Sequence, residues 1–258
     1  MTQPQVLILR APGTNCDQET AFAFSRAGAN PIQVHINQLV SNPKFLTQSQ
    51  ILCLPGGFSY GDDIAAGRIL ANQLKLRLAD AMAEFRDQGK LILGICNGFQ
   101  ILIKSGFLIP SDAAGLPATL TWNDSGHFID TWVHLNVDQQ KSVFLKGIER
   151  MYLPIAHAEG KFVPRDAATL SRLADNHQLA LTYCRCDGSS DSLAAPDNPN
   201  GSIGNVAGLS DETGRILGMM PHPERHVVAT HHPQWTRLGL SDRPDGLAIF
   251  QNAVNYFA

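Results

Sequence analysis

Cys96 stands in the run Leu91-Ile-Leu-Gly-Ile-Cys-Asn-Gly-Phe99, where an apolar stretch leads straight into a cysteine flanked by Gly94 and Gly98. Helix-forming residues continue through Gln100 and Ile101. A strand, a sharp turn, a reactive residue and a helix are the parts of a nucleophile elbow, and so tight a turn tolerates only small neighbours. A cysteine opening a helix also meets free N–H groups and the positive end of the dipole, which favour a thiolate. Such a nucleophile needs a base, and the base needs an orienting acid. The best pair lies in Gly218-Met-Met-Pro-His-Pro-Glu-Arg225. Pro223 enforces extended backbone between His222 and Glu224, so both side chains leave on one face. Taken alone, the same residues also read as a surface turn. Oxyanion donors complete the chemistry: the N–H of Asn97 by elbow geometry, and a second from Pro55-Gly-Gly-Phe-Ser59, where glycine lets backbone approach a ligand.

The elements that must position these residues alternate along the first half. Val6–Leu9 reads as an apolar strand, Gly13-Thr-Asn15 as a turn and Asp17–Ala27 as a helix. Ile32–Ile36 and Ile51–Leu54 are further strands. One long helix is expected next, with Leu70, Leu74, Leu78, Met82 and Phe85 on a single face at helical spacing, and then the strand Leu91–Ile95. Such alternation implies an α/β fold, a mostly parallel central sheet flanked by helices. Sites in these sheets form outside the carboxyl ends of the strands, so Gly13, Gly57, Cys96 and His222 should converge on one edge. The second half is less regular. His127–Val137 alternates as an antiparallel strand, Gln178–Tyr183 and Arg215–Met220 are further strands, 184–205 is a long loop, and Gly246–Phe257 is a closing amphipathic helix. No linker divides the chain, which reads as one domain over 1–258.

The 258 residues carry a formal net charge of -3, which gives no reason to expect a nucleic-acid partner. No apolar run reaches membrane-spanning length and the first residues lack signal-peptide character, so no membrane role is expected. Five cysteines without a C-x-x-C pair suit a reducing, cytoplasmic setting. Cys16 also follows a strand and opens a helix, but lacks the flanking glycines of an elbow. His222, His226, His231 and His232 suggest zinc only weakly, because Pro221, Pro223 and Pro233 oppose the helix that ligand spacing requires, and no metal site is expected. No phosphate-binding Gly-x-x-x-x-Gly-Lys-Ser/Thr loop is present, so this chain is expected to carry no cofactor.

An early P-G-G loop, then G-x-C-x-G-x-Q, then H-x-E near the end together resemble the class I, triad-type glutamine amidotransferases. The motifs Gly13-Thr-Asn-Cys-Asp17, Gly56-Gly-Phe-Ser-Tyr-Gly-Asp62, Cys96-Asn-Gly-Phe-Gln100, Asn198-Pro-Asn-Gly-Ser202 and Met220-Pro-His-Pro-Glu-Arg225 narrow the resemblance to the glutaminase subunits of phosphoribosylformylglycinamidine synthases. That likeness spans nearly the whole chain. It implies that Cys96 attacks the side-chain amide of L-glutamine, His222 shuttles the proton and Glu224 orients His222. It further implies that Gly57 and Asn97 hold the oxyanion and Gln100 helps hold the substrate. The implied partners are a synthase subunit that binds formylglycinamide ribonucleotide, ATP and magnesium, and a small accessory subunit. Ala158 stands where the resemblance leads one to expect glycine, and extra material lies near 195–201 and 227–243. His157 and Glu159 face either the glutamine pocket or the partner. Two other readings compete: a cysteine hydrolase or peptidase on the same scaffold, and a non-catalytic regulatory subunit.

Overall fold

A computed structural model describes residues 3–258. Its first half alternates as the sequence predicts. β1 (Gln5–Arg10) leads to α1 (Asp17–Arg26) and β2 (Asn30–His35). β2 stops one residue short of the predicted Ile36 because His35 caps the next helix. Its Nδ1 accepts from Asn37 N–H, while Gln38 Oε1 accepts from His35 N–H, both at 3.2 Å. The short helices α2 (Ile36–Ser41) and α3 (Lys44–Gln48) lead to β3 (Ile51–Leu54). The long helix expected next is two, α4 (Arg68–Arg77) and α5 (Ala79–Asp87), broken at Leu78 with φ -133°. No proline or glycine marks the break, and all five predicted apolar residues remain buried across it. β4 (Leu91–Ile95) then runs into α6 (Asn97–Ser105).

The second half contains more strand than its sequence pattern reveals. It holds β5 (Ala118–Thr121), β6 (Ile129–Val137), β7 (Arg150–His157), β8 (Lys161–Pro164), α7 (Ala167–Asp175), β9 (Leu181–Cys184), β10 (Val206–Ser210), β11 (Ile216–Met219), α8 (Trp235–Leu238) and α9 (Asp245–Asn255). Nine strands form one sheet in the order β2-β1-β3-β4-β11-β10-β9-β6-β7, and β5 and β8 pair separately. From β2 to β11 neighbours run parallel; from β11 to β7 they run antiparallel. The α/β class expected from sequence is what forms, with antiparallel strands added by the second half. The parallel strands are apolar along their length: β3 and β4 are wholly buried. Phe24 on α1 meets Phe250 on α9 edge-on, ring centroids 4.9 Å apart, which pins the closing helix to the first one.

β7 closes the hydrogen-bonded order, yet it returns to the parallel half. Pro154 Oaccepts from His222 N–H at 2.8 Å, and the carbonyl of Ala156 lies 3.6 Å from Cys96 Sγ. An edge position explains how Pro154 sits inside a strand, since it has no N–H to offer a neighbour. No helix among the described residues is long and apolar enough to cross a membrane.

Candidate active site

Gly13, Gly57, Cys96 and His222 follow β1, β3, β4 and β11, and the structure brings their loops together. Phe58 N–H donates to Gly13 O at 2.9 Å, Cys16 N–H donates to Gly56 O at 3.2 Å, and Cys96 N–H donates to Met219 O at 2.7 Å. The expected convergence at the carboxyl ends of parallel strands is therefore present.

Cys96 has φ 51° and ψ -103°, a conformation rarely adopted by a side-chain-bearing residue, between the end of β4 and the first turn of α6. Close packing holds it there. A Cβ at Gly98 would overlap the Leu54 carbonyl, so the helix can approach β3 only with glycine at that position. As the first residue of α6, Asn97 has no carbonyl one turn earlier in the helix to receive its N–H. Gly57 has φ 142°, and a Cβ there would lie 2.8 Å from Asn15 N and Gly13 O. It is a backbone-only wall of the cavity.

His222 Nδ1 lies 2.6 Å from Glu224 Oε1, and the two residues are only 2% and 1% exposed. Burial opposes charge on His222, but Glu224 and the neighbouring thiols of Cys96 and Cys16 outweigh it and raise its pKa well above the ordinary imidazole value. The pair thus stabilises imidazolium, the form a base reaches after taking a proton. Among the described residues His222 Nε2 has no hydrogen-bond partner, which leaves it open to a reacting group.

Two thiols flank this imidazole. Cys96 lines the cavity, whereas Cys16 is absent from its wall and sits behind Gly56. Burial pushes the Cys16 thiol up, against the opposing pull of His222 and Arg225. Ligand-type atoms of Cys16, Glu19, His222 and Glu224 lie within 4.8 Å of one another. Arg225 already serves that cluster, with Nε 2.9 Å from Glu19 Oε1 and Nη2 3.3 Å from Cys16 Sγ. Its guanidinium supplies the positive charge that a metal ion would bring.

The cavity measures about 230 Å³ and is walled by Gly57, Phe58, Asp62, Cys96, Gln100 and Trp122 together with 156–159. That is below the range typical of drug-sized ligands and suits a single small metabolite. Gln100 reaches the wall, but its amide is engaged internally: Oε1 accepts from Asn97 Nδ2 at 2.9 Å and Nε2 donates to Glu159 O at 2.6 Å. Asn97 lies behind the lining, with its side chain bridging Ser59 N–H at 3.2 Å and Asp62 Oδ1 at 3.1 Å.

His157 and Glu159, left between two placements by the sequence, both line the cavity and are buried. Asn123 Nδ2 donates to the carbonyls of His127 and His157, so its Oδ1 receives Gly160 N–H and His157 Nδ1–H, both at 3.1 Å. Burial, aided by the charge of His222, lowers the His157 pKa to about 3, so this imidazole stays neutral. The motif Asn198–Ser202 lies behind the same wall. Asn200 Nδ2 donates to Gly160 O at 2.8 Å and to Tyr183 Oη at 3.0 Å, while Ser202 Oγ accepts from Phe162 N–H at 3.0 Å. Asp62 and Trp122 are wall residues to which sequence reasoning assigned no role. Asp62 ends a quoted motif, whereas nothing around Trp122 signals a site.

Comparison with known proteins agrees with this geometry. A family model for the CobB/CobQ-like glutamine amidotransferase domain matches residues 3–257. A phosphoribosylformylglycinamidine synthase subunit PurQ from Dehalococcoides mccartyi is 46% identical over 257 residues, covering 99% of this chain and 98% of that one. The protein of the same name from Methanococcus maripaludis is 41% identical, covering 98% of each chain. Among solved structures, a chain of PurLQS from Thermotoga maritima superposes with a TM-score of 0.75 at 31% identity, covering 100% of both. A glutamine amidotransferase from Thermotoga maritima, 18% identical with a TM-score of 0.51 over 92% of this chain and 83% of its own, shares the fold. A full-length family match, close relatives and a shared fold lead to one conclusion: the chain belongs to the CobB/CobQ-like glutamine amidotransferase family.

Proposed function

We propose that this chain is the glutamine-hydrolysing subunit of a phosphoribosylformylglycinamidine synthase. Cys96 Sγ attacks the side-chain amide carbon of glutamine while His222 Nε2 takes the thiol proton. Glu224 holds the imidazole and stabilises its charged form. The N–H groups of Asn97 and Gly57 receive the charge that develops on the amide oxygen. His222 returns the proton to the departing ammonia, leaving a glutamyl thioester on Cys96. Water, deprotonated by His222, then cleaves the thioester to give glutamate and regenerate the thiol. Gln100 shapes the cavity and helps hold the substrate.

The ammonia passes to a synthase subunit that binds formylglycinamide ribonucleotide, ATP and magnesium, with a small accessory subunit completing the complex. The assembly works in the cytoplasm, and this chain acts as one amidotransferase domain without a cofactor of its own. The named relatives support the choice of reaction, and a chain of PurLQS with the same fold supports the choice of partners. The observation that carries the mechanism is the buried His222–Glu224 pair at 2.6 Å beside the strained turn at Cys96. A peptidase reading fares worse, because the matching family model is a glutamine amidotransferase domain and the named relatives are synthase subunits. Labelling with a glutamine analogue carrying a diazoketone tests the proposal. Peptide mapping is expected to place the adduct on Cys96, and protection of Cys96 with adduct elsewhere contradicts it.

A further inference from the structure

The cavity wall carries two carboxylates in different situations. Glu159 is consumed by the protein: both its oxygens lie 3.2 Å from Ala66 N–H, and Oε2 lies 3.5 Å from Lys104 Nζ. Asp62 receives one side-chain donor, Asn97 Nδ2 at 3.1 Å, and forms no ion pair among the described residues. Its backbone is held in the left-handed region at φ 54°, after Tyr60 at 55° and Gly61 at 70°. A non-glycine residue there costs of order 1 kcal/mol or more, and persists where its surroundings fix it. Asn97 does that fixing, through Ser59 N–H and Asp62 Oδ1, and Tyr60 Oη anchors the loop to Gln73 at 2.9 Å.

The charges facing Asp62 leave it uncompensated. Glu159 and Lys104 offset each other, and His157 is neutral. Burial raises the Asp62 pKa to about 6; Glu159 adds to the shift, while Gly67 N–H, Lys104 and Asn97 oppose it. The cavity therefore presents one carboxylate short of positive charge, built into the wall that also holds Cys96. A ligand with a side-chain amide for the thiol and an ammonium for this carboxylate satisfies both groups. We infer that Asp62 receives the α-ammonium of glutamine and is the residue by which the site selects an α-amino acid over a simple ω-amide. This inference rests on the glutaminase reading above.

The test compares glutamine with glutaramate, its analogue lacking the α-amino group, using the full chain assembled with its synthase partner. Ammonia release gives kcat and KM for each substrate in wild type, Asp62→Asn and Asp62→Glu. Wild type is expected to favour glutamine strongly. Asp62→Asn should lose about a hundredfold of that preference, chiefly through glutamine KM, as expected when one partner of a desolvated charge pair is removed. Asp62→Glu should retain part of it. The preference is a ratio measured within each variant, so partial misfolding cancels from it. Equal loss on both substrates, or an unchanged preference in Asp62→Asn, overturns the assignment. Wild type that releases ammonia from neither substrate overturns the glutaminase reading itself.

Discussion

The parallel and antiparallel halves of the sheet build the same cavity by different means. In the parallel half, reactive groups stand at strand ends, placed by backbone: Cys96 after β4 and His222 after β11, whose parent strands pair from Ile92–Ile216 to Ile95–Met219. In the antiparallel half, the wall at 156–159 begins at the end of the edge strand β7 and runs beyond it, held by the side-chain amides of Asn123 and Asn200. Strand pairing fixes the chemistry, and asparagine hydrogen bonds fix the shape. Damage to the reactive groups at the strand ends should therefore appear in kcat, and damage to the asparagine-held wall in KM and stability.

The largest effect tests the first half. Cys96→Ala should abolish glutamine-dependent synthesis by the assembled enzyme while ammonia-dependent synthesis survives, since added ammonia bypasses this site. Steady-state product formation with each nitrogen source measures both. Loss of ammonia-dependent synthesis in an intact complex would contradict the division of labour.

The base and its orienting acid should separate next. His222→Ala should cost more turnover than Glu224→Gln, by about a hundredfold if the difference resembles that between base and orienting acid in other triads. The expectation follows from the proposed mechanism, in which His222 moves protons and Glu224 acts through the 2.6 Å bond to Nδ1. Full activity in His222→Ala would remove it from the mechanism.

The second half is sharpened by Asn200→Ala. It leaves Tyr183 Oη without its donor in a buried setting and Gly160 O with only the longer bond from Ser202 Oγ at 3.4 Å. A loss of about 1–3 kcal/mol in unfolding free energy is expected. Glutamine KM should rise with little change in kcat. Denaturant melts and ammonia release measure the two, and a fall confined to kcat would show that Asn200 serves the chemistry directly.

The smallest effect is a pH dependence. With the Asp62 pKa near 6, protonation at lower pH removes the charge that receives an ammonium, so kcat/KM for glutamine should fall as pH drops through about 6. His157, at about 3, stays neutral across that range and contributes no step. Asp62→Asn should remove this limb of the profile. A limb that survives the substitution belongs to another group.

The same contrast explains what the sequence disclosed. Leu91–Ile95 is apolar at every position except Gly94, and glycines surround Cys96, so strand and elbow are both written locally. The break at Leu78 is invisible because the apolar spacing runs through it and no breaker marks it. β7 was hidden by Pro154, which argues against a strand unless the strand is known to lie at an edge. β5, β8 and β10 are too short for alternation to stand out. The roles of Asn123, Asn200 and Asp62 depend on partners distant in the chain, such as Asn200 with Gly160, and no spacing rule announces them.

Two cysteines beside one histidine make the identity of the nucleophile the central claim, and trapping the covalent intermediate tests it most directly. The assembled enzyme is mixed with glutamine, quenched in acid during turnover, digested and mapped by mass. The account predicts a glutamyl adduct on the peptide containing Cys96, sensitive to hydroxylamine and absent from Cys96→Ala. An adduct on the peptide containing Cys16, retained in Cys96→Ala along with ammonia release, would contradict it.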